Sequence, residues 1–360
     1  MIELFRPNIP KKAFDNVKKT LKSKYIAQGP QVKEFEKEFA DKVSGYYPIA
    51  TNSTTGALHL AYIMSNIQED DEVITTVLTC TATNIPLLWL KAKIVFADIQ
   101  KETLNIDPID VEKKINSKTK AIVCVNYSGY PCEFDKLRDL ADKYNCKLIC
   151  DNAHGIKTTY KDKPIEYWCD YVIYSFQAIK FITTGDGGMI VCKTSEEAKL
   201  LKQLRWFGID KEEKMEGVWN GRVDVVGYKY HMNDLSASIG LAALEELDSL
   251  LLRYKKKYEL YKKLIGDIML PVNNTQNSWL CTIKVDDADK ISKILNDNDI
   301  ENGRIHYRND IHQIFGGNRL DLPNMNYMEN KYLVIPMCNT TTNKDIKFIC
   351  NIISHELNRG

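Results

Sequence analysis

The sequence predicts an α/β protein. A mostly parallel sheet sandwiched by helices forms a large domain, residues 1–245, and a smaller α/β domain follows, residues 246–360. Three observations lead there. Short β-branched and aromatic runs alternate with segments of helical periodicity, the pattern of strands joined by helical crossovers. Several of those runs are apolar almost throughout, as strands covered on both faces must be. A chain of 360 residues is long enough for one large domain and a smaller second one.

Taken in order, residues 1–40 read as a leading arm and a helix. Gln28-Gly29-Pro30 punctuates the chain, and Val32, Phe35 and Phe39 then recur at helical spacing. Residues 48–51 form a short strand, and Asn52-Ser53-Thr54-Thr55-Gly56 leads into a helix with Ala57, Leu58, Ala61 and Met64 on one face. Strands follow at 72–77, 93–99, 121–125, 147–151, 171–174 and 189–192, with a helix at 133–144. Beyond Ile209 an exposed charged insert leads to Val226. Asn233 and Asp234 then cap a long helix whose Leu235, Ile239 and Ala242 face the core, running to Leu264 and bridging the two domains. The small domain reads as a strand at 280–285, a helix at 288–296 and a final helix at 343–356.

Composition excludes several classes of function. Lys plus Arg number 49 against 48 Asp plus Glu, a net charge of +1, so no bulk charge directs the chain to nucleic acid or a membrane. Hydrophobic residues at 44% and charged residues at 27% are the ordinary balance of a globular protein. The basic run at 253–257 reads as the solvated face of a helix. The ten cysteines are scattered singly, with no Cys-x-x-Cys pair and no His/Cys cluster of metal spacing, so no metal is expected. No secretory pattern opens the sequence and no apolar run reaches membrane-spanning length. A cytoplasmic protein with reduced thiols is expected.

The rest of the chain is organised around residues 174–188, a lysine held between two strands in a turn rich in hydroxyls and glycine. A surface lysine is the commoner fate. A reactive lysine must be partly desolvated or lie near another cation, so that its neutral, nucleophilic form is accessible. Ile179, Phe181 and Ile182 around Lys180 favour the second reading, while Ser175, Thr183 and Thr184 are of the type that bonds a phosphate. Two other segments carry a plain and a functional reading side by side. Residues 52–56 are either an ordinary N-cap or a helix N-terminus offering amides and a positive dipole end to a phosphate. Asp151, ending a strand, is either a helix cap or a carboxylate aimed at a ligand at the strands' carboxyl ends.

Ser-Phe-x-Ala-x-Lys at 175–180, followed by Thr-Thr-Gly-Asp-Gly-Gly at 183–188, resembles the lysine loop of the DegT/DnrJ/EryC1/StrS sugar aminotransferases. These are fold-type I enzymes that depend on pyridoxal 5'-phosphate (PLP). The resemblance continues along nearly the whole chain and implies that Lys180 forms the Schiff base with the cofactor; the related dehydratases carry histidine there. It implies that Thr55 and Gly56, with Ser175, hold the cofactor phosphate. Asp151, in Asp-Asn-Ala-His, would keep the pyridine nitrogen protonated so that the ring acts as an electron sink, and His154 would lie near the phenolic oxygen. Cys80 stands where many members place a stacking aromatic, and would give a thinner, polarizable contact. Gly-Tyr-Lys-Tyr-His-Met at 227–232 resembles the motif that crosses the family's dimer interface, so a homodimer with shared sites is implied. Lys229 would meet the phosphate, and His231, like His306 and Tyr307 of the small domain, would line the substrate channel.

Within the family, Arg-Trp-Phe-Gly-Ile-Asp and Gly-Tyr-Lys-Tyr-His-Met-Asn look like enzymes that aminate dTDP-4-keto-6-deoxyglucose with L-glutamate as donor, giving dTDP-4-amino-4,6-dideoxyglucose. GDP-4-keto-6-deoxymannose, or a 3-keto sugar, is the alternative substrate. A fold-type I regulator or binding protein is the non-enzymatic alternative, against which Lys180 and Asp151 both count.

Overall fold

The computed structural model describes residues 1–210, 223–271 and 277–358; most of the charged insert after Ile209 lies outside the described residues. Seven strands build the large sheet: β1 (Tyr47–Thr51), β2 (Glu72–Thr76), β3 (Lys93–Ala97), β4 (Thr119–Val125), β5 (Lys147–Asp151), β8 (Tyr171–Ser175) and β9 (Gly188–Cys192), in the spatial order β1-β9-β8-β5-β4-β2-β3. A small hairpin, β6 (Thr159–Tyr160) and β7 (Lys163–Pro164), lies between β5 and β8 in the chain. From β8 to β3 the strands are parallel, while β9 is antiparallel to both β8 and β1. Reversed twice, β1 runs in the same sense as β8, so six strands end at one edge.

The apolar runs are explained by burial on both faces. In β4, Ala121 and Val123 point into one core with the helix Thr54–Met64, and Ile122 and Cys124 point into the other. Alternate side chains of a strand point to opposite faces, so a strand between two cores presents apolar residues to both. The helix Thr54–Met64 is buried from Gly56 to Tyr62 rather than on one stripe.

The helix Asp234–Ile265 runs through the expected domain boundary at 245/246 and packs on the helices Lys11–Ser23, Pro30–Phe39 and Asn343–Leu357. Its capping differs from expectation at one residue. Asn233 is the N-cap, accepting from the Ser236 amide at 2.8 Å. Asp234, fully buried, turns away and accepts from the amides of Gly29, Gln31 and Val32, so it caps the helix Pro30–Phe39 instead. That helix begins at a glycine and a proline, neither of which offers a side-chain acceptor.

In the C-terminal part, β10 (Met269–Leu270), β11 (Cys281–Lys284) and β12 (Tyr332–Ile335) form an antiparallel sheet with the helices Ala288–Asp297 and Asn343–Leu357. The leading arm joins this part: Ile2 pairs with Ile300, and the Leu4 amide donates to Glu301. Two contacts lock it against the large sheet. Asp98, just past β3, accepts from the amides of Asn324 and Met325 at 2.8 and 2.9 Å. Asn309 donates to Thr79 O at 2.7 Å and accepts from Asn84 at 2.9 Å. All ten cysteines are unpaired, and no helix among the described residues is long and apolar enough to cross a membrane.

Candidate active site

Because six strands end at one edge, the segments that follow them converge there. Past β2 comes Cys80, past β4 Ser128, past β5 His154, past β8 Lys180 and past β1 the helix Thr54–Met64. The C-terminal part adds Trp279 and His306. Trp279 is brought in by its amide, which donates to Ser128 O at 3.2 Å, while the Ser128 hydroxyl donates to Leu280 O at 2.8 Å.

Lys180 is half-buried. Its Nζ lies 3.4 Å from the centroid of the Trp279 ring, and burial brings its pKa from 10.5 down to about 7, against an opposing pull from Asp151 and Cys80. The amine is therefore neutral in about half the molecules near pH 7, the condition a nucleophilic lysine needs. Asp151 is 5% exposed, and both its oxygens are held. Thr83 Oγ1 donates to Oδ2 at 2.8 Å, and the Ala153 amide donates to Oδ1 at 3.2 Å. Thr83 has one hydroxyl hydrogen, so the 2.8 Å contact with Thr79 Oγ1 must be Thr79 donating to Thr83. Burial raises the Asp151 pKa, while Thr83, Ala153 and Lys180 oppose it.

His154 and His306 stack at 5.3 Å with planes 7° apart and meet Nε2 to Nε2 at 3.4 Å. The Ser128 amide donates to His154 Nδ1 at 3.3 Å. That bond assigns the proton of neutral His154 to Nε2, makes His306 Nε2 the acceptor and leaves the His306 proton on Nδ1. Burial and the nearby Lys180 charge push both rings far down, His306 to about 3, so both are neutral around pH 7.

The helix N-terminus at residues 53–56 is used in part by the protein itself. Ser53 is the N-cap, and its Oγ accepts from the Gly56 amide at 3.1 Å. The first-turn amides of Thr54 and Thr55 have no intrahelical acceptor and form the dipole's positive end. The lysine loop reaches this point through Gly188, where a Cβ would stand 2.6 Å from Thr54 N and 2.7 Å from Ser53 O. Ser175 ends β8 beside it, half-buried. Lys229 is exposed; its carbonyl accepts from Asn52 Nδ2 at 3.2 Å, and the Asn52 amide donates to Tyr230 O at 2.6 Å. His231 pairs through its backbone with Thr51 and lies edge-on to Trp206. Cys80 is exposed at the start of the helix Thr81–Trp89, and Tyr307 is 54% exposed beside the buried cluster rather than in it. A cavity of about 1280 Å³ lies elsewhere, between the helices Lys11–Ser23, Pro30–Phe39 and Ser195–Leu204, and none of these site residues lines it.

The model of the DegT/DnrJ/EryC1/StrS aminotransferase family matches residues 7–354. The chain belongs to this family. It is similar to the spore coat polysaccharide biosynthesis protein SpsC of Bacillus subtilis, 32% identical over 94% of this chain and 93% of that protein. It is also similar to the GDP-perosamine synthase of Escherichia coli O157:H7, 34% identical over 74% of this chain and 72% of that protein. Among solved structures it resembles the PLP form of a putative sugar aminotransferase, Spr1654, from Streptococcus pneumoniae, with a TM-score of 0.89 and 25% identity over 97% of each chain. The protein is thus a PLP-dependent aminotransferase of fold type I, as the lysine loop implied.

The residues present in this aminotransferase fit that cofactor. A half-neutral amine, a buried carboxylate fixed by two donors and a helix N-terminus approached by a glycine supply complements to an aldehyde, a protonated pyridine nitrogen and a phosphate. Sequence reasoning missed Thr83 and Trp279. Thr83 lies three residues beyond Cys80, so helical spacing was its only signal. Trp279 had none, since nothing local links it to a lysine 99 positions earlier.

Proposed function

We propose that this aminotransferase moves the amino group of L-glutamate to a nucleotide-linked 4-keto-6-deoxy sugar, with dTDP-4-keto-6-deoxyglucose as the substrate and dTDP-4-amino-4,6-dideoxyglucose as the product. The observation that carries the chemistry is the Lys180 amine, 3.4 Å from the Trp279 ring and drawn toward its neutral form by burial, beside the buried Asp151 carboxylate and the paired rings of His154 and His306. PLP, when bound, supplies the electron sink that lets nitrogen pass from one carbon to another. Lys180 would hold the cofactor, and its free amine would take a proton from one carbon and return it to another. Asp151, held by Thr83 and Ala153, accepts from the pyridine nitrogen. His154 holds its proton at Nε2, and with His306 and Trp279 it keeps water away from the amine. The amides of Thr54 and Thr55, with Ser175, bond the phosphate.

A second substrate reading, GDP-4-keto-6-deoxymannose, is favoured by the similarity to the GDP-perosamine synthase. The chain acts as a homodimer in this proposal, with Lys229 completing the partner's phosphate site. The purified enzyme is to be given each keto sugar, dTDP- or GDP-linked, with glutamate, and 2-oxoglutarate followed. Turnover with the dTDP sugar at least tenfold above the GDP sugar is expected, and the reverse preference replaces the first reading by the second. No turnover with either sends the search to 3-keto sugars. Borohydride reduction should fix the cofactor to the peptide containing Lys180, and labelling at Lys157 or Lys193 would end that assignment.

A further inference from the structure

Trp279 is 4% exposed, yet its contacts are not those of a core residue alone. The indole Nε1–H donates to Ile179 O at 3.1 Å, so the ring is tied to the residue before Lys180. The Lys180 Nζ lies 3.4 Å from the ring centroid. Phe5 stacks on the indole at 5.2 Å with planes 19° apart. The His154 ring also meets the indole, at 4.5 Å and 39°. Phe5 is itself anchored, since its arm pairs at Ile2 with Ile300, bonds Glu301 through Leu4 and accepts at Glu3 O from the Cys338 thiol. A lysine from the large sheet, a tryptophan next to β11 and a phenylalanine from the leading arm therefore form one stack.

We propose that Trp279 is a positioning residue for Lys180: its π-face holds the ammonium, its N–H fixes the loop at Ile179, and Phe5 backs the ring so that this face stays turned to the amine. The proposal rests on the reading of Lys180 as the reacting amine. Physically, a ring face is the negative end of an aromatic quadrupole and attracts a cation more strongly where water is excluded. Burial removes the ammonium's hydration, and the indole returns part of that stabilisation without adding a charge. The other groups acting on Lys180 are Asp151 and Cys80, which favour its charged form, and it in turn depresses His154 and His306. Trp279 thus acts on the same amine that burial draws toward its neutral form and that Asp151 and Cys80 draw toward its charged form.

The test uses the full-length apoprotein carrying ¹³C at the lysine ε-carbons, with the Lys180 signal assigned by its loss in Lys180→Met. In Trp279→Leu the Lys180 titration should move down by about one pH unit, a roughly tenfold fall in the charged-to-neutral ratio. Trp279→Phe, which keeps a smaller ring face and loses the N–H, should move it down by less, and Phe5→Leu should shift it in the same direction. An unmoved or raised titration in a Trp279→Leu protein that still unfolds cooperatively overturns the proposal. Should that variant not fold, Trp279→Phe and Phe5→Leu decide it: downward shifts in both support the stack, and no shift in either refutes it. Borohydride labelling elsewhere than Lys180 would remove the lysine from the chemistry and leave this titration unchanged, so the two failures are read separately.

Discussion

Lys180 opposes folding at neutral pH, and replacing it should reveal by how much. Its pKa is about 7 in the folded protein and 10.5 as an ordinary lysine, a difference of about 3.5 units caused mainly by burial. Between those values the unfolded chain binds more protons than the folded one, so the Lys180 contribution to stability rises as pH rises. Its destabilising effect is fully present below pH 7, fades between 7 and 10.5 and is gone above 10.5. At 1.36 kcal/mol per unit, the penalty at pH 7 has an upper bound of about 4 kcal/mol; relaxation and water around a half-buried amine bring the expected value to about 2–4 kcal/mol. Lys180→Met keeps the chain length and apolar stem without the charge. Urea unfolding of the apoproteins at pH 6, 8 and 9.5, followed by far-ultraviolet circular dichroism, measures the difference; Asp151, His154 and His306 also feel the Lys180 charge, and the window from pH 8 to 9.5 reports the lysine itself. The variant should be the more stable one at pH 6, with the gap closing as pH rises. A gap that is constant with pH, or a variant less stable at pH 6, would refute a desolvated lysine.

Four further outcomes are expected. Asp151→Asn should keep the fold and lose most of the turnover; turnover near the parent level would place the pyridine's carboxylate elsewhere. Thr83→Val removes the buried donor to Asp151 Oδ2, and should destabilise the apoprotein by about 1–3 kcal/mol in urea titrations and weaken PLP binding. Gly188→Ala sets a Cβ 2.6 Å from Thr54 N, a backbone contact that cannot swing aside. Its melting temperature should fall by several degrees and its PLP affinity at least tenfold, as read by cofactor fluorescence, and parent-like values would contradict the close approach. Lys180→Ala and Lys229→Ala should each be nearly inactive as homodimers but regain a clear fraction of activity when co-refolded, since one site of a mixed dimer receives neither change. Mixed dimers that form and stay inactive would confine Lys229 to its own subunit.

The elements were legible in the sequence because their causes are local. A strand covered on both faces must be apolar throughout, so β4 and β5 were readable within two residues of their ends. Lys180 stood out by its apolar flanks and Asp151 by its place at a strand end, and the family resemblance joined them to one cofactor. Tertiary structure decided what depends on direction and distance. Asp234 was read as a cap for its own helix, yet its carboxylate serves Gly29, Gln31 and Val32, more than 200 positions away. That the Ser53 hydroxyl accepts from the Gly56 amide is likewise set by the folded turn. Thr83 carried only its helical spacing and Trp279 no signal, because a hydroxyl's acceptor and a ring's neighbour are set by how the strands' carboxyl ends and the C-terminal part meet. The Lys180 pKa belongs to the same class: composition supplies the amine, but desolvation is a property of the folded surroundings, so only packing makes this lysine differ from the chain's other lysines.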